Sequence, residues 1–114
     1  MIQTHNLNLY RGDDRDITLS VSDSKGAIDL SSYQARCQVR DSTRNNGKVL
    51  LTLSSDDGSI TVADNQLVLH VTHVDTATAT WRQATYDVQL TDPQGKVKTI
   101  VRGQITLEHD VTYD

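Results

Sequence analysis

The chain has 114 residues, of which 36% are hydrophobic and only 4% aromatic, with no Phe. This composition predicts a single domain over residues 1–114, with a thin core of Val, Leu and Ile. The formal net charge of -4 argues against nucleic-acid binding, which needs concentrated Lys and Arg, and no apolar run reaches the ~18 residues of a membrane helix.

Hydrophobic and polar residues alternate along most of the chain, and this period of two predicts half-exposed antiparallel strands. In the last segment, Gly103 interrupts the alternation and predicts a bend, a bulge or a change of strand partner. The expected inward positions, in chain order, are Leu7 and Leu9; Ile17, Leu19 and Val21; Ala35, Cys37 and Val39; Val49, Leu51 and Leu53; Ile60 and Val62; Leu67, Leu69 and Val71; Tyr86, Val88 and Leu90; and Val97, Thr99, Val101, Ile105 and Leu107.

Turn signals separate these strands. Asn46-Gly47 and Asp57-Gly58 predict tight hairpin turns. Residues 73–79 predict a helix of about two turns, with Thr72 as its N-cap. About seven to nine strands at this spacing, with one short helical turn, predict an all-β, immunoglobulin-like antiparallel β-sandwich.

Two groups of polar residues are of types that bind metal ions. His70 and His73 form an H-x-x-H pair that could lie at a strand end, but zinc would need a further ligand of suitable geometry. The acidic residues of Arg11–Asp16 could hold Ca²⁺, but the EF-hand pattern is absent and two arginines lie beside them. We expect a solvated histidine pair and a charged turn, and we predict no metal and no other cofactor.

The sequence predicts a protein without enzymatic activity and without catalytic residues. Cys37, the single cysteine, has the parity of the inward residues Ala35 and Val39, so we expect it to be a small core residue rather than a nucleophile. No G-x-S-x-G, P-loop or G-x-G-x-x-G pattern occurs, and no carboxylates stand in a recognisable acid/base pair. One cysteine cannot form an internal disulfide, and the first residues have no secretory pattern, which indicates synthesis in the cytoplasm.

Aromatic residues are so rare that each one matters as a potential anchor for a partner. Trp and Tyr are enriched at the energetic centres of protein interfaces, and Arg is as well. Trp81 also has a second interpretation, because a core without Phe needs bulk and Trp81 could cap it. The candidate partner-binding residues are Tyr10, Arg11, Asp13, Asp14, Trp81, Arg82 and Tyr113.

Several segments together resemble small all-β structural proteins of tailed bacteriophages. They are similar to the N-terminal immunoglobulin-like module of baseplate upper proteins in the Gly12-Asp13 entry, in Asp29-Leu30 after the first hairpin, and in the spacing from Tyr86 through Asp92 to Gly95. The sequence departs from that pattern at 81–84, where Trp-Arg-Gln-Ala replaces a Pro-Ala-Gly approach. The resemblance implies a virion protein of the tail, baseplate or neck. Such a protein would be made in the host cytoplasm, would dock to other virion proteins, and would be a homo-oligomer or present in many copies.

Two alternatives stay open at this stage. One is a decoration or cement protein on the outside of the capsid. The other is a soluble carbohydrate- or ligand-binding sandwich, in which Trp81 would form an aromatic platform beside Asp75.

Overall fold

The computed structural model describes residues 3–23, 26–41 and 48–109. Strands dominate these ranges, as the period of two predicts. The elements are β1 (Gln3–Thr4), β2 (Leu7–Tyr10), β3 (Arg15–Ser20), β4 (Ser22–Asp23), β5 (Gly26–Ala27), β6 (Gln34–Asp41), β7 (Val49–Ser54), β8 (Ile60–Ala63), β9 (Gln66–Val71), α1 (His73–Thr76), β10 (Gln83–Thr91) and β11 (Val97–Glu108).

The strands form two sheets and a small hairpin. The larger sheet has the order β1-β11-β10-β6-β7, and β2 also pairs with β11. The second sheet has the order β3-β9-β8, and β4 pairs with β5. Eight of the strands in the described ranges have four or more residues, so the predicted all-β sandwich of seven to nine strands with one short helix is confirmed.

The expectation of purely antiparallel pairing is corrected at one edge. Both β1 and β2 run parallel to β11, whereas the other pairings are antiparallel. Alternation shows which face of a strand is buried but says nothing of the direction of its neighbour. Because β1 and β2 are remote from β11 in sequence, no hairpin turn forces them to run antiparallel to it.

The core lies between the two sheets and is built from the inward positions of both. The deepest members are aliphatic, which agrees with the composition, and Cys37 is buried among them. The side chains with less than 2% exposure are Leu30, Ile60, Leu67, Leu69, Leu107, Val88, Thr76 and Cys37.

Two irregularities change the parity that alternation predicts. Leu50 has no partner in the β6–β7 register, and Ile100 has none in the β10–β11 register. Each extra residue shifts the rest of its strand by one position. The side chains beyond it therefore point to the opposite face of the sheet from the one that simple alternation predicts. Val49 and Val97, which the simple alternation places inside, are therefore 40% and 59% exposed.

The predicted irregularity at Gly103 is a change of partner. β11 is continuous through Gly103, but it pairs with β1 before this residue and with β2 after it. The link between β1 and β2 comes so close that a Cβ at Gly103 would lie 2.1 Å from the carbonyl oxygen of His5. Glycine is required here by close approach of backbone.

Tyr86 of β10 also contacts the link between β1 and β2. Its side chain is 3% exposed, and its hydroxyl donates a hydrogen bond of 2.5 Å to the carbonyl oxygen of His5. Burial, and then the nearby Cys37, raise the pKa of Tyr86 to about 12. Tyr86 thus connects β10 to the N-terminal segment.

The helix α1 is shorter than the two turns expected. It spans His73–Thr76, and the carboxylate of Asp75 accepts a hydrogen bond from the backbone N–H of the N-cap residue Thr72 at 2.9 Å. Three residues in 73–79 are β-branched, which weakens helix extension.

Candidate functional site

Two of the segments that are predicted to contact a partner, the Arg11–Asp16 loop and the segment before Trp81, pack against each other. The backbone N–H of Gly12 donates to the hydroxyl of Thr76, at the end of α1, at 2.9 Å. The guanidinium of Arg11 donates to the carbonyl of Ala79 at 3.3 Å. The Arg11–Asp16 loop is therefore fixed against the segment that leads from α1 to Trp81.

The end of β11 and the residue after it also contact these segments. The backbone N–H of Arg11 donates to the carbonyl of Glu108 at 2.8 Å, and the N–H of Leu107 donates to the carbonyl of Arg82 at 2.8 Å. The Nε2 atom of His109 lies 3.0 Å from the carbonyl oxygen of Trp81. Because a carbonyl only accepts, Nε2 carries the hydrogen in this contact. Three chain segments thus hold Trp81 in a defined position.

Trp81 lies in an open groove of about 820 Å³, which we call the Trp81 groove. Apolar surface comes from Leu50, Leu107 and Trp81 itself, and the charged residues of the groove lie at the same end of the large sheet. The groove is lined by Asp41, Lys48, Leu50, Thr80, Trp81, Arg82, Gln83, Thr106, Leu107, Glu108 and His109.

Trp81 contacts both the core and the groove, so its position does not choose between the two interpretations. It is half-buried and packs against the hydrophobic core, as a capping residue would. It also lines the groove, as an anchor for a partner would. A small apolar cavity of about 20 Å³ between the sheets touches Trp81, Cys37 and Tyr86 as well. Its apolar lining favours a dry cavity.

Of the other predicted contacts in the described residues, only Arg82 lines the groove, and it is exposed. Tyr10, Arg11, Asp13 and Asp14 are not among the lining residues. Tyr10 lies on β2, is paired with Glu108 of β11 and is 51% exposed. Asp13 is exposed and donates its backbone N–H to the carbonyl of Tyr10 at 3.2 Å. Tyr113 lies outside the described residues, as does the Asn46-Gly47 turn.

Asp14 has a structural role in the loop. Its carboxylate accepts a hydrogen bond from the backbone N–H of His73 at 2.6 Å and lies 2.9 Å from Nδ1 of the same residue. These contacts, the backbone one first, hold the pKa of Asp14 below its usual range. The bond ties the loop to the first residue of α1.

The histidine pair and the acidic loop, which are remote from each other in sequence, meet in the structure. His73 pairs with Asp14, and Nδ1 of His70 lies 2.8 Å from Asp16. The Nε2 atom of His70 is 2.7 Å from the hydroxyl of Thr61, so a chain of hydrogen bonds crosses β3, β9 and β8. No group of three or more His, Cys, Asp or Glu residues in the described ranges is placed to hold a metal ion.

Cys37 is not placed for nucleophilic chemistry. It is 2% exposed, and burial, together with the charge of Asp87, raises the pKa of its thiol to about 12. The reactive form of cysteine is the thiolate, which is absent at neutral pH in such a site.

The carbohydrate hypothesis places Trp81 beside Asp75, but the two residues do not line the same groove. Asp75 caps α1 and lines a separate recess of about 360 Å³. This recess lies between β7 and the start of α1, and it includes Asp57, Ser59 and His70. The aromatic platform and the carboxylate of the carbohydrate hypothesis therefore belong to different depressions.

Comparisons with known proteins inform the fold. No protein-family model matches the chain, and no curated protein matches it significantly. Among solved structures, the chain is similar to CopC from Methylosinus trichosporium OB3b, with a TM-score of 0.50 and 11% sequence identity over 95% of this chain and 90% of that one. At this identity the likeness shows the fold alone, an immunoglobulin-like sandwich. Across the described residues, no helix is long and apolar enough to cross a membrane.

Proposed function

We propose that this protein is a non-enzymatic structural or adaptor subunit of a tailed bacteriophage particle, which docks to other virion proteins through the Trp81 groove. The observation that carries the docking role is one open groove of about 820 Å³, in which Leu50 and Leu107, remote in sequence, lie beside Trp81 and Arg82. The phage assignment is supported by the resemblance of the sequence to baseplate modules.

The groove has the composition of an interface centre. Trp and Arg are enriched among residues that dominate binding free energy, especially where a rim shields them from water. Leu50 and Leu107 supply apolar area beside Trp81, while Lys48, Arg82 and Glu108 supply charges. Such a surface suits a protein segment with both apolar and charged side chains.

Rigidity of the groove supports the same role. The Trp81 backbone is held by His109, and the Arg82 backbone is held by Leu107. A preformed surface loses little conformational entropy when a partner binds, which strengthens binding. In a symmetric particle, many copies would add avidity.

The first experiment measures the number of copies of the chain in purified particles by quantitative mass spectrometry. Copy numbers that follow the three- or six-fold symmetry of a tail support the proposal. Numbers that follow capsid symmetry would identify a decoration protein instead. Absence of the chain from particles would refute a virion role.

The second experiment tests the groove itself. Arg82→Glu reverses an exposed charge in the groove, and Arg102→Glu makes the same change at an exposed position outside it. We expect the Arg82 variant to be incorporated at least tenfold less, because interface residues of this type contribute over about 1.4 kcal/mol. Equal incorporation of the two variants would refute docking through the groove.

The single tryptophan provides a direct readout. Because Trp81 is the only Trp in the chain, its fluorescence reports occupation of the groove. A change in emission on addition of a virion protein supports docking. A change with members of a glycan panel, absent in Trp81→Ala, would favour the carbohydrate-binding alternative.

A further inference from the structure

The described part of the chain ends in the Trp81 groove. His109 is half-buried, lines this groove, and has its Nε2 atom 3.0 Å from the carbonyl oxygen of Trp81. Because His109 is held at the groove in this way, the residue after it begins at the groove as well. The residues that follow, which lie outside the described ranges, are Asp110, Val111, Thr112, Tyr113 and Asp114, and we call them segment 110–114.

The Trp81 groove crosses one end of the larger sheet. Along the order β11-β10-β6-β7, its lining includes the end of β11, the start of β10, the end of β6 and the residues at the start of β7. Three spacings of about 4.8 Å separate β11 from β7, which gives a distance of roughly 14 Å. Five extended residues cover roughly 16 Å. Segment 110–114 is therefore long enough to reach β7 from the end of β11.

The apolar residues of segment 110–114 match the apolar surface of the groove. Val111 and Tyr113 are two positions apart, so their side chains point to the same side of an extended chain. The groove offers Trp81 at the entry to β10 and Leu50 in β7, and both side chains are half-buried. An extended segment that crosses from β11 to β7 would place Val111 over Trp81 and Tyr113 over Leu50.

Charge fixes the far end of the same arrangement. Segment 110–114 contains two aspartates and no basic residue. Lys48 lines the groove just before β7, is exposed, and forms no ion pair with another of the described residues. The crossing brings Asp114 to this lysine. Because the groove is lined by Asp41 and Glu108 as well as by Lys48 and Arg82, its charges cancel, so the apolar contacts supply most of the binding.

We propose that segment 110–114 binds in the Trp81 groove of its own chain. It lies extended across the end of the larger sheet, with Val111 on Trp81, Tyr113 on Leu50 and Asp114 beside Lys48. A short attached segment has an effective concentration of about millimolar, so a few weak contacts are enough to cover the groove. The inference rests on the proposed function in one respect: a virion protein that docks to the groove must first displace the segment.

Nuclear Overhauser spectra of the isolated chain test the contact without any partner. We expect cross-peaks between the ring of Tyr113 and the methyl groups of Leu50. They should disappear when an unlabelled peptide with the sequence of residues 110–114 is added in large excess, because the peptide competes for the groove.

Fluorescence quenching of Trp81 by acrylamide provides a second readout. With light that Trp alone absorbs, Tyr113→Ser should be quenched more strongly than the wild type, because the segment no longer covers the groove. Thr112→Ser is the matched control and should behave like the wild type, since residue 112 points away from the groove in an extended segment. Quenching that does not change with chain concentration shows that each segment binds within its own chain. Circular dichroism and urea melts check that both variants are folded.

Charge reversal tests the direction of the segment. Asp114→Lys should lower the ratio of covered to uncovered chains about twofold or more, which is the range of an exposed ion pair. Lys48→Asp should act in the same way. The double variant, Asp114→Lys with Lys48→Asp, should return to the quenching of the wild type.

Four results would overturn the inference. They are the absence of cross-peaks between Tyr113 and Leu50, equal quenching of the wild type and Tyr113→Ser, protection of Trp81 that appears only at high chain concentration, and a double charge variant that does not recover. The docking role fails separately. If Tyr113→Ser uncovers Trp81 but Arg82→Glu is incorporated into particles as well as Arg102→Glu, the segment binds the groove and the groove does not dock a virion protein.

Discussion

Replacement of Gly103 by Ala tests how the N-terminal strands are joined to the sandwich. The added Cβ would lie 2.1 Å from the carbonyl oxygen of His5 and 2.7 Å from its carbonyl carbon. Both neighbours are backbone atoms, so no side-chain rotation relieves the clash. The link between β1 and β2 must move away from β11.

The cost follows from the bonds that this movement breaks. His5 donates its N–H to the carbonyl of Arg102 at 3.0 Å and accepts the hydroxyl of Tyr86 at 2.5 Å. Each hydrogen bond contributes about 1 kcal/mol, and a buried hydroxyl without a partner costs roughly 1–3 kcal/mol. We therefore expect Gly103→Ala to lower the free energy of unfolding by about 2–4 kcal/mol.

Urea unfolding in a double-mutant cycle isolates this mechanism. Tyr86→Phe alone should cost about 1 kcal/mol, since it removes the hydroxyl together with its one hydrogen bond to the carbonyl of His5. In that background Gly103→Ala should cost at least 1 kcal/mol less than in the wild type, because both changes act through His5. Gly95→Ala is the control, with a φ of 86° and open space at the Cβ, and should cost only ~1 kcal/mol of backbone strain.

Two outcomes would refute the reasoning. One is a Gly103→Ala variant within about 0.5 kcal/mol of the wild type, the scatter of neutral surface changes. The other is a double variant in which the effects of Gly103→Ala and Tyr86→Phe on the free energy of unfolding simply add. The first would mean that the N-terminal strands do not contact β11 closely, and the second that Tyr86 and Gly103 do not share a partner.

Further predictions concern titration and loop contacts. The pKa values of Cys37 and Tyr86 are both raised to about 12 by burial, so the folded state retains protons that the unfolded state loses above their ordinary values of 9.0 and 10.0. Stability measured by urea melts should therefore fall as pH rises from about 9 to 12, and Tyr86→Phe should flatten the upper part of this fall. Cys37 should react with a disulfide reagent only as fast as the protein opens, and immediate reaction in the native protein would contradict its burial. The pKa of Asp14 is lowered, so its stabilising contact with His73 should be lost as pH falls through the folded value, and Asp14→Asn should remove that part of the acid dependence. Thr76→Val keeps the shape of the side chain but removes the acceptor for the loop, and should cost about 1 kcal/mol in the same melts without changing far-UV circular dichroism.

Much of the fold could be predicted from the sequence because alternation is a local signal. The inward residues of β3, β6 and β9 are buried as their parity predicts. The turn predicted at Asp57-Gly58 is present, and Gly58 has the φ of 84° that such a turn residue requires. The predicted hairpin is wrong, however, because β7 pairs with β6 and β8 pairs with β9, so this turn joins the two sheets. Alternation and turn formation depend on residues close together in the chain, whereas the choice of strand partner does not.

The bulges could not be predicted in the same way. Nothing about Leu50 or Ile100 distinguishes them from neighbouring aliphatic residues, yet each is skipped in the register with a neighbouring strand. The extra residue becomes apparent only when both strands are paired, because a bulge is a property of the pair. The exposed Val49 and Val97 follow from this.

Of the residues that line the Trp81 groove, the sequence singles out Trp81 and Arg82 and misses the others. Scarcity of aromatic residues singled out Trp81, and charge singled out the Arg11–Asp16 loop, but neither signal shows that the two are neighbours. Their contact depends on Gly12 reaching Thr76, which is 64 positions away in the chain. The two Asp–His pairs have the same origin, since one joins β3 to β9 and the other joins the loop before β3 to the start of α1. Sequence patterns thus identify residue types that are common at interfaces, whereas the parallel pairing of β2 with β11 and the short α1 decide which of those residues are neighbours.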